Sequence, residues 1–479
     1  MGDSGEALLR KVYYEKCPGC KLEQRKEAHL GLPFKELFYV WLVTLGTALP
    51  ISSLFPFLYF MIRDFHIAKR VEDIGYYAGY IGSAFMFGRA LTSIIWGMIA
   101  DRYGRKPVIV IGTLSVVIFN TLFGLSMNFW MAISMRFLLG SLNGLLGPIK
   151  AYAVEVTRKE HHAIGLSLVS TAWGIGLIIG PAVGGFLAQP AEKYPNLFSN
   201  GSIFARFPYF LPCLVISLFA VGVLIASFWL PETLHKHHED KGSKSNEDVE
   251  SVYHLDSKTN GGETRDKEPK ESLLKNWPLM SSVIVYSVFS LHDMAYTEIF
   301  SLWAVSEKKF GGLSFTSQDV GVVLAVSGFG LLLFQATLYP MIERNIGPIK
   351  ISRYAALLAV LLLSTYTLIA KLRGVALYVI INCASLLKNV LSLVIITGLF
   401  LLQNRAVSQA QRGAANGISM TGMSLFKAVA PAAGGAVFAL AQKRQHASFL
   451  PGDQLVFFAL NVVEIIGALM TFKPFLVEV

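Results

Sequence analysis

Long apolar stretches recur along the 479-residue chain, separated by short polar loops. The pattern predicts membrane-spanning helices at about 36–62, 75–99, 107–126, 129–155, 163–188 and 207–230. After a polar segment it resumes at about 277–304, 317–342, 352–370, 375–403, 413–441 and 453–473. Each stretch can cross a hydrocarbon layer of ~30 Å at about 1.5 Å rise per residue. The ninth and tenth are divided only by Lys371 and Arg373. The expected fold is therefore an all-α integral membrane protein with twelve transmembrane helices. Its parts are a polar tail (1–35), a first six-helix half (36–230), a linker (231–276), a second half (277–473) and a short tail (474–479). The linker is rich in Lys, Glu, Asp, Ser and His, so it has little to bury and reads as loosely structured. The first 33 residues hold no short apolar run before small residues, so no cleavable signal peptide is expected.

The halves echo each other. Residues 171–185 (TAWGIGLIIGPAVGG) align without a gap on 421–435 (TGMSLFKAVAPAAGG), matching Thr171 with Thr421, Pro181 with Pro431, Gly184 with Gly434 and Gly185 with Gly435. A weaker echo pairs Asp101-Arg102-Tyr103-Gly104 with Glu343-Arg344-Asn345-Ile346-Gly347, with one residue inserted. Two pseudo-symmetric halves suggest a transporter whose site lies between them.

Composition and charge sharpen this reading. Hydrophobic residues make up 53% of the chain, charged residues 15%, and mean hydropathy is +0.51. Soluble domains carry about 25% charged residues, so a soluble enzyme, a fibre and a disordered chain are all excluded. Four cysteines cannot staple a chain of this length. The net charge of +10 would suit a nucleic-acid binder. Most of the Lys and Arg, however, fall in the tails and alternate loops. That asymmetry places both termini in the cytoplasm and gives the charge an orienting role, not one in nucleic-acid binding.

Ionisable groups inside spans are costly and tend to face a cavity or one another. Near mid-span lie the cations Arg89, Arg136, Lys388 and Lys427 and the anions Asp293 and Glu298. Glu155 and Glu464 lie nearer the ends of their spans, and His292 adjoins Asp293. A cation-rich interior suits a carboxylate-bearing substrate, with Arg89, Arg136, Lys388, Lys427 and Asp293 as candidate contacts. Internal pairing of Asp293 with Lys388 or Lys427 is the alternative use of the same charges. Asp293 is the preferred proton carrier, because a cation that moves away leaves a buried carboxylate to take up a proton. His292 and Glu298 are accessories, and Arg136 with Glu155 is a second candidate pair.

Two motifs carry a family resemblance. The loop after the second span reads Trp96-Gly97-Met-Ile-Ala-Asp101-Arg102-Tyr103-Gly104-Arg105-Lys106. Gly97 and Gly104 permit close packing and a tight turn, and Asp101 can pair with a cation or a helix N-terminus. This loop resembles the signature loop of the major facilitator superfamily, which implies a gating role for Gly97, Asp101, Arg102, Gly104, Arg105 and Lys106. Gly176, Gly180, Pro181, Gly184 and Gly185 resemble the superfamily's antiporter motif. Ser167 extends that pattern to the form found in the plant zinc-induced-facilitator-like family. Cys17-Pro18-Gly19-Cys20 in the tail and His235, His237 and His238 in the linker are similar to features of that family too.

The resemblance implies a proton-coupled antiporter that exports a metal-chelating amino carboxylate, such as nicotianamine or a mugineic-acid phytosiderophore, in zinc and iron homeostasis. It also implies a potassium or organic-anion (auxin-related) antiporter as an alternative. The other class weighed is a metal sensor or receptor that transports nothing. No motif supports an enzyme, and no cofactor is expected beyond a regulatory zinc on Cys17, Cys20, His235, His237 and His238, since the Cys pair has the spacing of half a zinc site. The expected partners are a small-molecule substrate, protons and the lipid of a plasma or vacuolar membrane, with the monomer as the working unit.

Overall fold

The computed structural model describes residues 13–14, 17–28, 31–199, 201–234, 273–407 and 411–476. Helices follow the apolar pattern closely. We number the spanning helices α1 (Phe34–Ser52, continued by Leu58–Asp64), α2 (Ile74–Tyr103), α3 (Arg105–Gly124), α4 (Phe129–Val156), α5 (His162–Leu187) and α6 (Phe210–Ser227). The second half holds α7 (Trp277–Val305), α8 (Ser317–Ile346), α9 (Pro348–Ile369), α10 (Gly374–Arg405), α11 (Arg412–Lys443) and α12 (Asp453–Met470). A tail helix, Pro18–Ala28, precedes them. Twelve crossings put both tails and the linker on one face, called here the terminal face. The opposite one is the far face.

Local chemistry sets several boundaries. Asn128 and Asn276 cap α4 and α7 by accepting from Met131 N and Leu279 N, at 2.9 and 3.1 Å. α1 is interrupted between Ser53 and Phe57, around Pro56, which lacks the N–H the helix needs. α4 breaks at Asn143–Leu145, where Gly144 lies so close to the Trp96 ring that no side chain would fit. Gly104 and Gly347, paired in the sequence echo, both turn at positive φ (112° and 83°) into the following helix.

Eleven of the helices are long and apolar enough to cross a membrane. α7 is the less apolar one. It carries serines, His292, Asp293 and Glu298, yet most of it is buried against protein. Shelter by neighbouring helices, not by lipid, lets it keep those polar groups.

The halves meet by backbone contact toward the far face. A Cβ on Gly185 of α5 would lie 2.5 Å from Ser317 O of α8, and one on Gly321 would lie 2.7 Å from Pro181 O. The other seam repeats this arrangement. A Cβ on Gly75 of α2 would lie 2.7 Å from Gly435 O of α11, and Gly79 faces the carbonyl of Pro431 with no room for a side chain. Pro181 and Gly185 thus correspond to Pro431 and Gly435, the pairs already aligned in sequence. Lysines staple both seams at the far face. Lys193 Nζ donates to Gly185 O (2.7 Å) and Ser317 Oγ (2.6 Å), while Lys443 Nζ bridges to Asp73 at 2.5 Å. Toward the terminal face, Gly97 of α2, Gly147 of α4 and Gly417 of α11 have open space around them. The halves therefore close on the far face and diverge on the terminal face.

Gly79→Leu is expected to hold the far ends of α2 and α11 apart, because a leucine must displace the Pro431 backbone. Spin labels on those two ends would report a longer distance in folded protein, and an unchanged distance would show that this contact does not set closure. Lys443→Ala should shift the closed-to-open ratio by no more than a few-fold, since solvent screens an exposed ion pair; a larger shift in the same label distances would make the bridge a main determinant of closure.

Candidate functional site

Toward the terminal face, partly exposed charged side chains of both halves approach one another across the gap between the halves, called here the cavity. Lys388 of α10 is fully buried and bridges to Asp293 of α7 at 3.1 Å. Its ammonium also sits 3.8 Å from the centre of the Tyr296 ring. Of the two pairings open to Asp293, the one with Lys388 is formed. Lys427 of α11 is near enough for its field to reach Asp293, Lys388 and Arg89. Arg89 of α2 acts in turn on Lys150 of α4. Among the described residues, Arg89, Lys150 and Lys427 have no carboxylate within ion-pairing distance. Three cations thus face the cavity without a counter-charge. Lys150 is not among the sequence candidates. It lies near the end of the fourth apolar stretch, where a lysine normally reaches the headgroups.

Other candidates lie elsewhere. Arg136 donates to Pro50 O at 3.0 Å and stands between the rings of Phe85 and Phe123, at 5.0 and 5.3 Å. It braces α4 against α1 and does not pair with Glu155, which is 19 residues on, or ~28 Å along the helix. His292 turns away from the cavity and bridges from Nδ1 to Glu464 of α12 at 2.9 Å, both groups being buried. Consecutive helix residues point ~100° apart, so adjacency to Asp293 in sequence does not bring His292 to its side. Glu298 is buried, and neither carboxyl oxygen has a partner.

The loop after α2 forms a closed polar cluster. Asp101 bridges Arg105 at 2.7 Å, and Arg105 reaches Glu155 at 3.0 Å. The Glu232 carboxylate accepts from Arg105 N (3.0 Å) and Lys106 N (3.2 Å), the first amides of α3. An anion is favoured at a helix N-terminus. Gly104 packs so closely on that carboxylate that no Cβ fits. Lys106 Nζ donates to Phe228 O at 2.6 Å, and Arg102 lies over the Tyr103 ring. Gly97 meets nothing here, contrary to the close packing expected of it, because the terminal ends of the halves stand apart.

In the antiporter-like motif of α5, Gly176, Gly180 and Gly184 seat α1 against Ala48, Ser52 and Ser53. Ser52 Oγ donates to Gly176 O at 2.8 Å. Pro181 and Gly185 face α8 instead, so one motif serves two seams. Ser167 lies exposed toward the terminal end.

The tail helix docks on the loop cluster. Gly19 N donates to Leu234 O at 3.2 Å, and Leu22 packs with Trp96, Ala100 and Leu230. Cys17 and Cys20 are buried here, and burial pushes the Cys20 thiol up from its ordinary value. That keeps it a poor ligand unless a metal displaces the proton. Among the described residues no group of three His, Cys, Asp or Glu side chains forms a metal site. His235, His237 and His238 lie outside the described residues.

Residues 40–431 match the model of the Major Facilitator Superfamily. The chain belongs to that superfamily. Within it, it belongs to the plant zinc-induced-facilitator-like family. It is 62% identical to the Arabidopsis thaliana protein Zinc induced facilitator-like 1, over 99% of this chain and 98% of that one. It is 57% identical to Zinc induced facilitator 1 of the same plant, covering 98% of each. The crystal structure of a D-xylose–proton symporter shares the fold at TM-score 0.68 and 14% identity, over 93% of this chain and 98% of that one. The expected twelve-helix major facilitator fold is thus the observed one, and the chain is a multi-pass membrane transporter.

Glu232→Ala removes the acceptor of the first α3 amides. Hydrogen exchange at Arg105 and Lys106 is expected to quicken about five-fold, matching ~1 kcal/mol for a lost helix cap. Exchange at the tail helix should rise with it if the cluster holds the tail in place.

Proposed function

We propose that the protein is a proton-coupled antiporter that carries a small amino carboxylate, of the nicotianamine or mugineic-acid class, out of the cytosol by alternating access. The terminal face is cytoplasmic on this reading, the membrane is that of the cell surface or the vacuole, and the monomer is the working unit. No chemical step on the substrate is required. One observation carries the reading: among the described residues Arg89, Lys150 and Lys427 have no carboxylate within ion-pairing distance, beside the Asp293–Lys388 pair.

The charges explain exchange. A molecule bearing several carboxylates supplies the missing anions, and Arg89 can hold one of them in a two-pronged fork. The same molecule bears amines, which need an anion, and ionised Asp293 provides it. A proton on Asp293 removes that anion. Proton and substrate ammonium therefore compete for one carboxylate, and competition between two ligands is reciprocal. The carrier then returns with one or the other, which is antiport. A substrate with carboxylates alone would bind better to protonated Asp293 and move with the proton, so the amine decides the direction of coupling. The relatives' zinc-linked names fit a chelator as cargo.

Purified protein in liposomes with an imposed pH gradient should exchange labelled nicotianamine or deoxymugineic acid, but not free zinc. Asp293→Asn should abolish the gradient dependence while the protein stays folded. Lys427→Gln or Lys150→Gln should raise the half-saturating concentration 10- to 100-fold, the loss of one charge-assisted hydrogen bond of about 1.5–3 kcal/mol. Flux of neither chelator would discard this substrate class and favour potassium, an organic anion or a non-transporting sensor. Gradient-driven flux in Asp293→Asn would refute the coupling role.

A further inference from the structure

Asp293 and Glu298 share α7 but face different surroundings. Five residues separate them by ~7.5 Å along the helix and ~140° around it. Asp293 opens to the cavity and has Lys388. Glu298 is 1% exposed and lies inside the far-face seam, where α2 of the first half crosses α11 of the second. A Cβ on Gly82 of α2 would lie 3.0 Å from its Oε2 and 2.9 Å from Pro431 Cβ of α11. Next to it, Ser83 Oγ accepts from Ala432 N across the same seam at 2.9 Å. Neither carboxyl oxygen has a hydrogen-bond partner. The charged group whose field reaches it is Arg136 of α4, which is already bonded to Pro50 O and enclosed by two rings. On that seam the residues beside it are the uncharged Gly82 of α2 and Pro431 of α11.

A bare carboxylate sealed in this way costs several kcal/mol, far more than a neutral acid. When the far ends part, α2 lifts from α11 and water from the far side reaches the group, which then ionises as an ordinary carboxyl does. We propose that Glu298 is a second proton site, separate from Asp293, whose protonation permits the far face to close. This inference rests on the alternating-access reading. Glu298 binds and returns its proton on the far side, so it governs the conformational equilibrium without itself carrying charge across. Acid in the far compartment would then favour the form open to the terminal face.

The sign of the effect is diagnostic. Lys193, at the far-face staple, is lowered to about 8 by burial. Raising the pH makes it a neutral amine that is easier to keep buried, which strengthens closure. Opening on alkalinisation requires a group that binds its proton more tightly in the closed form, as a sealed carboxyl does.

The test is the distance between spin labels on the far ends of α2 and α11, in full-length protein in lipid nanodiscs without substrate, from pH 5 to pH 9. The far-open to closed ratio should rise with pH, approaching ten-fold per pH unit for one linked proton. Glu298→Gln should stay closed throughout. Glu298→Met, apolar and similar in volume, should match Glu298→Gln and replaces it if that variant fails to fold. A wild-type pH slope in either Glu298 variant, or a wild-type ratio that does not move with pH, would overturn the assignment. Far ends that part independently of pH would leave the transport reading standing. Far ends that never part, at any pH or with nicotianamine added, would overturn both.

Discussion

Two helix crossings without side chains between them hold the halves together. In lipid, helices gain no hydrophobic free energy by meeting, so association relies on close packing and polar contact. Glycine lets α2 reach the carbonyls of α11, and α5 reach those of α8. The lysine staples follow the same register, since Lys193 and Lys443 are separated by the 250 residues that separate Pro181 from Pro431. Everything toward the terminal face depends on this hinge line. The cavity exists because the crossings bring the far ends together while the other ends stay apart. Any side chain added at a crossing is paid for in helix separation.

The hinge line also determines where charge can be placed. α7 runs behind both the cavity and the seam, and one helix face opens to each. On the cavity side Lys388 is sealed but paired with Asp293, and three further cations are tolerable because they are partly exposed. On the seam side no such relief exists, and a carboxyl persists only as an acid. His292 and Glu464 show a third solution, a buried pair that satisfies itself between α7 and α12. Less than two turns of helix thus carry a wet charge, a dry acid and a sealed pair.

The twelve spans, the internal repeat and the glycine motif were legible in the sequence because each is a one-dimensional signal. Apolar length fixes the spans, and a constant offset fixes the symmetry. Pro431 and Gly435 could be matched to Pro181 and Gly185 by counting alone. What could not be counted was direction around a helix. His292 looked like a neighbour of Asp293 and faces another helix. Glu155 and Arg136 share a span yet stand about two thirds of its length apart. Lys150 looked like a boundary residue and faces the cavity beside Arg89. Its one sequence signal was a cation still flanked by apolar residues, in Gly147-Pro148-Ile149-Lys150-Ala151-Tyr152. Glu232 gave none, because its role depends on the chain folding back on α3 some 125 residues after that helix begins.

The loop cluster bears on how the terminal face works. Asp101, Arg105, Glu155 and Glu232 all belong to the first half or its exit, so their bonds do not cross between halves in this conformation. A latch made only of residues from one side cannot by itself hold two sides together. Its effect here is to stiffen the ends of α2, α3 and α4 into one body, with the tail helix seated on it. A cleft of about 370 Å³ remains between tail and loop, lined by Glu23, Lys26, Asp101, Arg105, Glu155 and Thr233. Closing the terminal face must bring α11 toward Gly97, which stands ready with empty space where a second glycine-type crossing would fit. The tail helix sits against Trp96 and Ala100, the neighbours of that glycine. A tail that moves or binds a metal would therefore act on the surface that the returning half has to meet, which is where control of the transport cycle by the tail has a physical basis.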